Sequence, residues 1–128
     1  MSGKLESVTT SKAPAAVGPY SQAVVAGGFV FASGQIPLDP ATGEVVGETF
    51  EARVRRVLDN LEAVLLAAGS DRSRVVKATV YLTDMALFPR LNAVYAEFFG
   101  HHRPARVAVA VAALPRGADV EIEAVALL

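Results

Sequence analysis

The feature that most constrains this 128-residue chain is an alternation near its end, "RVAVAVA" over residues 106–112. Strand side chains point alternately to two faces, so Val107, Val109 and Val111 share one side. Arg106, Ala108, Ala110 and Ala112 share the other. The bulky valines suit a core covered by helices. A face of alanines lets another surface approach closely, which makes it a candidate subunit interface, and Arg106 lies on it.

The rest of the chain supplies partners for that strand. "AVVAGGFVFASGQIP" reads as two strands around Gly27-Gly28, a good hairpin turn. A short strand near residues 5–9 can precede them, and "LDPATGEVVGE" is turn chemistry. In "TFEARVRRVLDNLEAVLLAAG", Phe50, Val54, Val57, Leu58, Leu61, Val64 and Leu65 fall at helical spacing and Gly69 supplies a stop. "VVKATVYLTD" is β-branched, and Asp84 then caps a second helix striped by Phe88, Leu91, Tyr95 and Phe98. Phe88 and Phe98 are read as core rather than pocket lining. Final strands at about 106–113 and 120–127 flank "PRGAD". The order β-β-α-β-α-β-β predicts an α+β domain spanning residues 1–128, with two helices on one face of a mixed sheet.

Bulk properties narrow the function. Twelve basic and thirteen acidic side chains leave a net charge of −1, without the basic surplus of a phosphate-neutralising nucleic-acid binder. There is no cysteine, hence no disulfide, thiolate metal site or cysteine nucleophile. No signal-peptide core or membrane-length run occurs, so the expectation is a cytoplasmic chain. A mean hydropathy of +0.39 is high for a small monomer, and burial between subunits of a homo-oligomer is the simplest remedy.

Three groups invite chemistry. Arg106 keeps its proton and offers a planar fork of donors, so it requires an anion, either a nearby acid such as Glu121 or a ligand. Glu121 and Glu123 share one face of their strand. Such a pair can raise one pKa for acid–base work, or can simply be solvated or bridged. If a tight hairpin joins the last two strands, roughly 24 Å of strand separates Arg106 from Glu121. They share a site only if those strands are not neighbours or if two subunits contribute. Tyr20, Ser33 and Gln35 lie in loop-like segments and can hydrogen-bond, and Gly34 allows close backbone approach. His101 and His102 lack a third ligand at a recognisable spacing and read as surface residues, not a metal site.

In order, "APAAVGPYSQAV", "FASGQIPLDPATGEVV", "VLDNLEAVLLAAGS", "VVKATVYLTDM", "FPRLNAVYAEFFG" and "PARVAVAVAALPRGADVEIEAVAL" resemble the Rid family of reactive-intermediate deaminases, the YjgF-like proteins. The resemblance runs from about residue 13 to the end. It implies a chorismate-mutase-like α+β fold assembled as a homotrimer with clefts between subunits. It further implies hydrolysis of 2-imino acids, 2-iminopropanoate and 2-iminobutanoate, to 2-oxo acids and ammonia without metal or organic cofactor. That activity protects pyridoxal-phosphate enzymes from reactive enamines. A non-catalytic trimer that binds small carboxylates or a regulatory partner protein is the alternative.

Carried over by resemblance, the carboxylate-binding arginine falls on Arg106, and the acidic residue that positions or activates water falls on Glu121. Tyr20, Ser33, Gly34 and Asn92 match the family's substrate-binding positions. Many members have a cysteine two residues after the arginine; here Ala108 stands there, leaving its backbone to hydrogen-bond. Expected partners are a small 2-imino acid and further copies of the chain, with no nucleic acid and no membrane.

Overall fold

The computed structural model describes residues 3–128. Six strands form one mixed sheet and two helices pack on one of its faces, as the element order predicts. Strand β1 (Glu6–Val8) pairs antiparallel with β2 (Ala23–Ala26), which folds back on β3 (Phe29–Gln35). Gly27 and Gly28 make that turn with φ of 59° and 82°, left-handed values suited to a two-residue hairpin.

Helix α1 (Phe50–Ala67) is capped by Thr49, whose Oγ1 accepts from the Ala52 amide at 3.0 Å. The seven apolar residues of its predicted stripe are all buried against the sheet. Asn60 interrupts that stripe without penalty, because its Nδ2 donates to the Leu38 carbonyl at 2.8 Å. The bond pins the loop after β3 onto α1. Strand β4 (Val75–Leu82) leads to helix α2 (Phe88–Phe99), then β5 (Ala105–Ala110) and β6 (Val120–Leu127). Asp84 caps a short 3-10 turn, Met85–Leu87, rather than α2 itself. Pro89 in the first turn of α2 makes the missing side-chain cap less costly, since that position needs no amide donor. No helix among the described residues is long and apolar enough to cross a membrane.

The sheet order is β1-β2-β3-β6-β4-β5, so the last two strands are not a hairpin. Strand β6 inserts between β3 and β4, and β5 lies parallel to β4 at the edge. Alternate residues Val120, Ile122, Ala124 and Ala126 of β6 are all buried, which suits a central strand. A strand carrying Arg106 is better placed at the edge, where the cation keeps access to solvent.

The two faces of β5 are also the reverse of the sequence reading. Arg106 and Ala108 pair with the buried Ala78 and Val80 and therefore lie on the helix side. Val107 and Val109 pair with Thr79 and Tyr81 on the uncovered side, where they are 42% and 38% exposed. The cause is α2: its Phe88 and Tyr95 lie over this face of β5, against the Arg106 guanidinium, and Ala108 packs against the core beside them. The candidate interface consequently moves from the alanine side to the valine side. Phe31 and Leu127, both 48% exposed, add apolar surface to the same face of the sheet.

Candidate active site

Strand β5 and helix α2 build the first half of the site. Arg106 donates from Nη1 to Oδ1 of Asn92 at 2.8 Å. Its guanidinium carbon lies 5.0 Å from the Phe88 ring centroid and 4.8 Å from that of Tyr95. Phe88, Asn92 and Tyr95 sit at i, i+4 and i+7 of one helix, so a single helical face cradles the cation. No carboxylate pairs with Arg106 among the described residues, so the salt bridge weighed for it is absent. A cavity of about 390 Å³ opens beside it, lined by Asn92, Tyr95, Arg103 and Pro104 among others. The Tyr95 hydroxyl is buried there without a hydrogen-bond partner, and burial pushes its pKa up.

The second half lies on β3, β6 and the N-terminal loop. A cavity of about 350 Å³ gathers Tyr20, Ser33, Gly34 and Glu121. Ser33 and Gly34 occupy a β-bulge, since the register of β3 on β6 slips between Ala32 and Gln35. Ser33 is held by its Oγ donating to the Ser21 carbonyl at 2.6 Å and its amide to the Gln22 carbonyl at 3.0 Å. Gly34 has no side chain for a direct reason. A Cβ there would overlap the Glu121 carboxylate and come within 2.9 Å of its Cδ. Burial pushes the Glu121 carboxyl above its ordinary pKa, and the charge of Glu123 pushes in the same direction. Glu123 itself accepts from the Tyr81 hydroxyl across the strands. That bond raises the Tyr81 pKa to about 12, with burial and the two glutamate charges adding to it.

The seven expected site residues thus divide. Tyr20, Ser33, Gly34 and Glu121 share one cavity, Arg106 and Asn92 share another, and Ala108 lines neither. Ala108 packs beneath α2 against the core. Phe88, read from sequence as core, is only partly buried and stacks on Arg106; its spacing to Asn92 and Tyr95 was the available signal. Gln22 carried no such signal. Its buried amide accepts from the Thr10 amide at 2.7 Å and donates to the Pro14 carbonyl at 2.8 Å, holding the loop that walls the Glu121 cavity. His102 is half-buried, its Nε2 2.7 Å from the Val75 carbonyl. No group of three potential metal ligands occurs among the described residues.

A family model described as Endoribonuclease L-PSP matches residues 10–128. A RutC family protein of Pyrococcus horikoshii is 52% identical over 121 residues, which cover 94% of this chain and 96% of that one. Reactive Intermediate Deaminase A, chloroplastic, of Arabidopsis thaliana is 49% identical over 125 residues, 98% of this chain and 67% of that longer protein. The crystal structure of Escherichia coli TdcF with bound serine superposes with a TM-score of 0.91 at 41% identity, covering 96% of this chain and 98% of that one.

Proposed function

The chain belongs to the endoribonuclease L-PSP family, the YjgF/Rid proteins, and from that premise we propose that it hydrolyses 2-imino acids such as 2-iminobutanoate and 2-iminopropanoate. The observation that carries this reading is the Arg106 guanidinium. It is gripped by one amide oxygen and two aromatic faces, none of which neutralises it, and it borders an open cavity. A small carboxylate supplies the missing anion in a two-point pair. The serine in the related TdcF is a ligand with such a group.

The chemistry follows from the two halves. Arg106 holds the carboxylate and fixes the adjacent C=N carbon in place. Glu121 in its ionised form orients a water and takes one of its protons as the oxygen attacks that carbon. The product of this step is a tetrahedral carbinolamine. Protonated Glu121 then gives that proton to nitrogen, and its carboxylate takes the carbinolamine hydroxyl proton as the C–N bond breaks. The carbonyl of the 2-oxo acid forms, and the departing ammonia carries the proton away as ammonium. An iminium carbon is already electrophilic, so a cation and one carboxylate suffice. The raised pKa of Glu121 suits a group that must both take and return a proton.

The reading joins Arg106 of one copy to Glu121 of the next in a homotrimer. The exposed apolar face around Phe31, Val107, Val109 and Leu127 supports such an assembly. Its biological sense is protection of pyridoxal-phosphate enzymes from the enamine tautomers of these imines.

The test generates 2-iminobutanoate in situ with a threonine dehydratase and traps it with semicarbazide. The protein at catalytic levels should suppress the semicarbazone, and Arg106→Ala should not while keeping its circular dichroism spectrum. No suppression by the wild type would overturn the reading and favour a carboxylate binder.

A further inference from the structure

Arg116 stands in a conformation that its residue type disfavours. It has φ 60° and ψ 22°, the one non-glycine residue at positive φ among those described. Gly117 follows at φ 69°, and the Ala118 amide donates to the Pro115 carbonyl at 3.1 Å. Two consecutive left-handed residues closed by that bond form a type I′ turn, whose first central position favours Asn, Asp or Gly. An arginine there is strained, and this exposed residue is part of the lining of the Glu121 cavity. The turn's own acid does not hold it: Asp119 is taken by Arg53, at 3.1 Å from Nε and 2.8 Å from Nη2. Arg116 forms no ion pair with Glu121 or with any other described residue.

We propose that Arg116 is a specificity-determining residue, which lets the Glu121 cavity select 2-imino acids whose side chain ends in a carboxylate. The inference rests on the imine-hydrolase reading. With the α-carboxylate on Arg106, the substrate side chain is left to extend into a cavity of about 350 Å³, far larger than an ethyl group fills. Its walls there are apolar or neutral, from Pro14, Val17, Ile36 and Leu38 to Tyr20 and Gln22. Glu121 is the acid needed for chemistry, and Arg116 is the single cation on that wall. A second carboxylate on the substrate finds no other cation among the residues that line this cavity, and Arg116 has no ion-pair partner among the described residues.

The test compares imines made by amino-acid oxidases from glutamate and from 2-aminobutanoate, for the wild type and for Arg116→Asn. Asparagine fits the left-handed turn without the charge. The ratio of kcat/KM for the acidic over the neutral imine should fall about tenfold in the variant, the loss of one charge-assisted contact. Its Tm should rise, whereas a merely structural arginine would lower it on removal. A second arm needs no turnover: 2-oxoglutarate binding, followed by calorimetry, should weaken in the variant more than 2-oxobutanoate binding. An unchanged ratio and unchanged binding preference would overturn the proposal, as would equal losses for both imines, which mark general steering of anions. Hydrolysis of neither imine by the wild type would sink the underlying reading alone, because the binding arm still decides on Arg116.

Discussion

Arg106 and Glu121 face opposite sides of the same sheet. Both are registered on β4, Arg106 opposite Ala78 and Glu121 opposite Tyr81, and an odd step of three residues reverses the face. About 10 Å along β4 and two strand spacings across it lie between them. Arg106 opens beneath the helices and Glu121 on the uncovered side, each into its own cavity. A molecule as small as 2-iminobutanoate does not bridge them within one copy, so the proposed chemistry needs the cation of one subunit and the carboxylate of another.

That division predicts complementation. Arg106→Ala and Glu121→Gln should each be inactive alone. In a mixed cyclic trimer, one interface in three joins an intact arginine to an intact glutamate. Denaturing the two variants together in equal amounts and refolding them should restore about one quarter of wild-type activity, the share set by random assembly. Activity that stays at background after verified subunit mixing places both residues in one copy and rejects the split site.

The Glu123 side chain should tune Glu121. Around these carboxylates on the uncovered face stand Tyr81, Thr79 and Lys77 from β4 and Ser33 from β3, and the charge of Glu123 helps raise the Glu121 pKa. Glu123→Gln removes that charge yet retains an oxygen to accept from Tyr81. The Glu121 pKa then falls, and the acid limb of the kcat/KM profile should shift to lower pH. A profile that keeps its position while only its height changes would mean that Glu123 is structural. The same shift has a consequence for stability. A carboxyl with a raised folded pKa binds its proton more tightly when folded, so stability drops as pH rises from the ordinary 4.5 through the raised value. Glu121→Gln should therefore gain Tm relative to wild type at pH 7 and lose that advantage at pH 4.

The elements were legible because their signals are local: the helical stripe of α1, the glycine pair between β2 and β3, the β-branched run of β4. Their arrangement was not. Whether β5 pairs with β6 or β4 depends on which strand best fills the sheet centre, a comparison across the whole chain. The inverted faces of β5 had the same origin, since alternation gives two faces but not which one a helix covers. At the site, a cation on an apolar strand and a glutamate pair singled out Arg106 and Glu121, the resemblance gave them roles, and Asn92 came from the resemblance alone. The cradle of Phe88 and Tyr95 was hidden because aromatic residues at helical spacing usually mean core, and Arg116 was hidden because its oddity is a backbone angle.

Gly34 should tolerate no side chain without loss of function. The Glu121 carboxylate occupies the space a Cβ would take, so Gly34→Ala must push Glu121 off its position or open the bulge. Displacing the base by about 1 Å lowers kcat/KM by roughly 100-fold, while the strain costs about 1–3 kcal/mol of stability. Parallel measurement of turnover and urea unfolding distinguishes the two effects. Wild-type kcat/KM in a folded Gly34→Ala protein would show that Glu121 has no fixed position to defend.

The uncovered face offers the last test. Phe31 is exposed beside Val125 across the β3–β6 pair, on the face that also holds Val107 and Val109. If copies pack through this face, Phe31→Asp places an unpaired carboxylate in an apolar contact, costing several kcal/mol per subunit. In the isolated chain, the same change puts a charge in water and costs little. The variant should keep its helical circular dichroism, run as a monomer in light scattering, and lose imine hydrolysis because each half-site loses its complement. A Phe31→Asp protein that remains trimeric and active would show that this face is not the interface, and a wild type that is monomeric and active would remove the need for one.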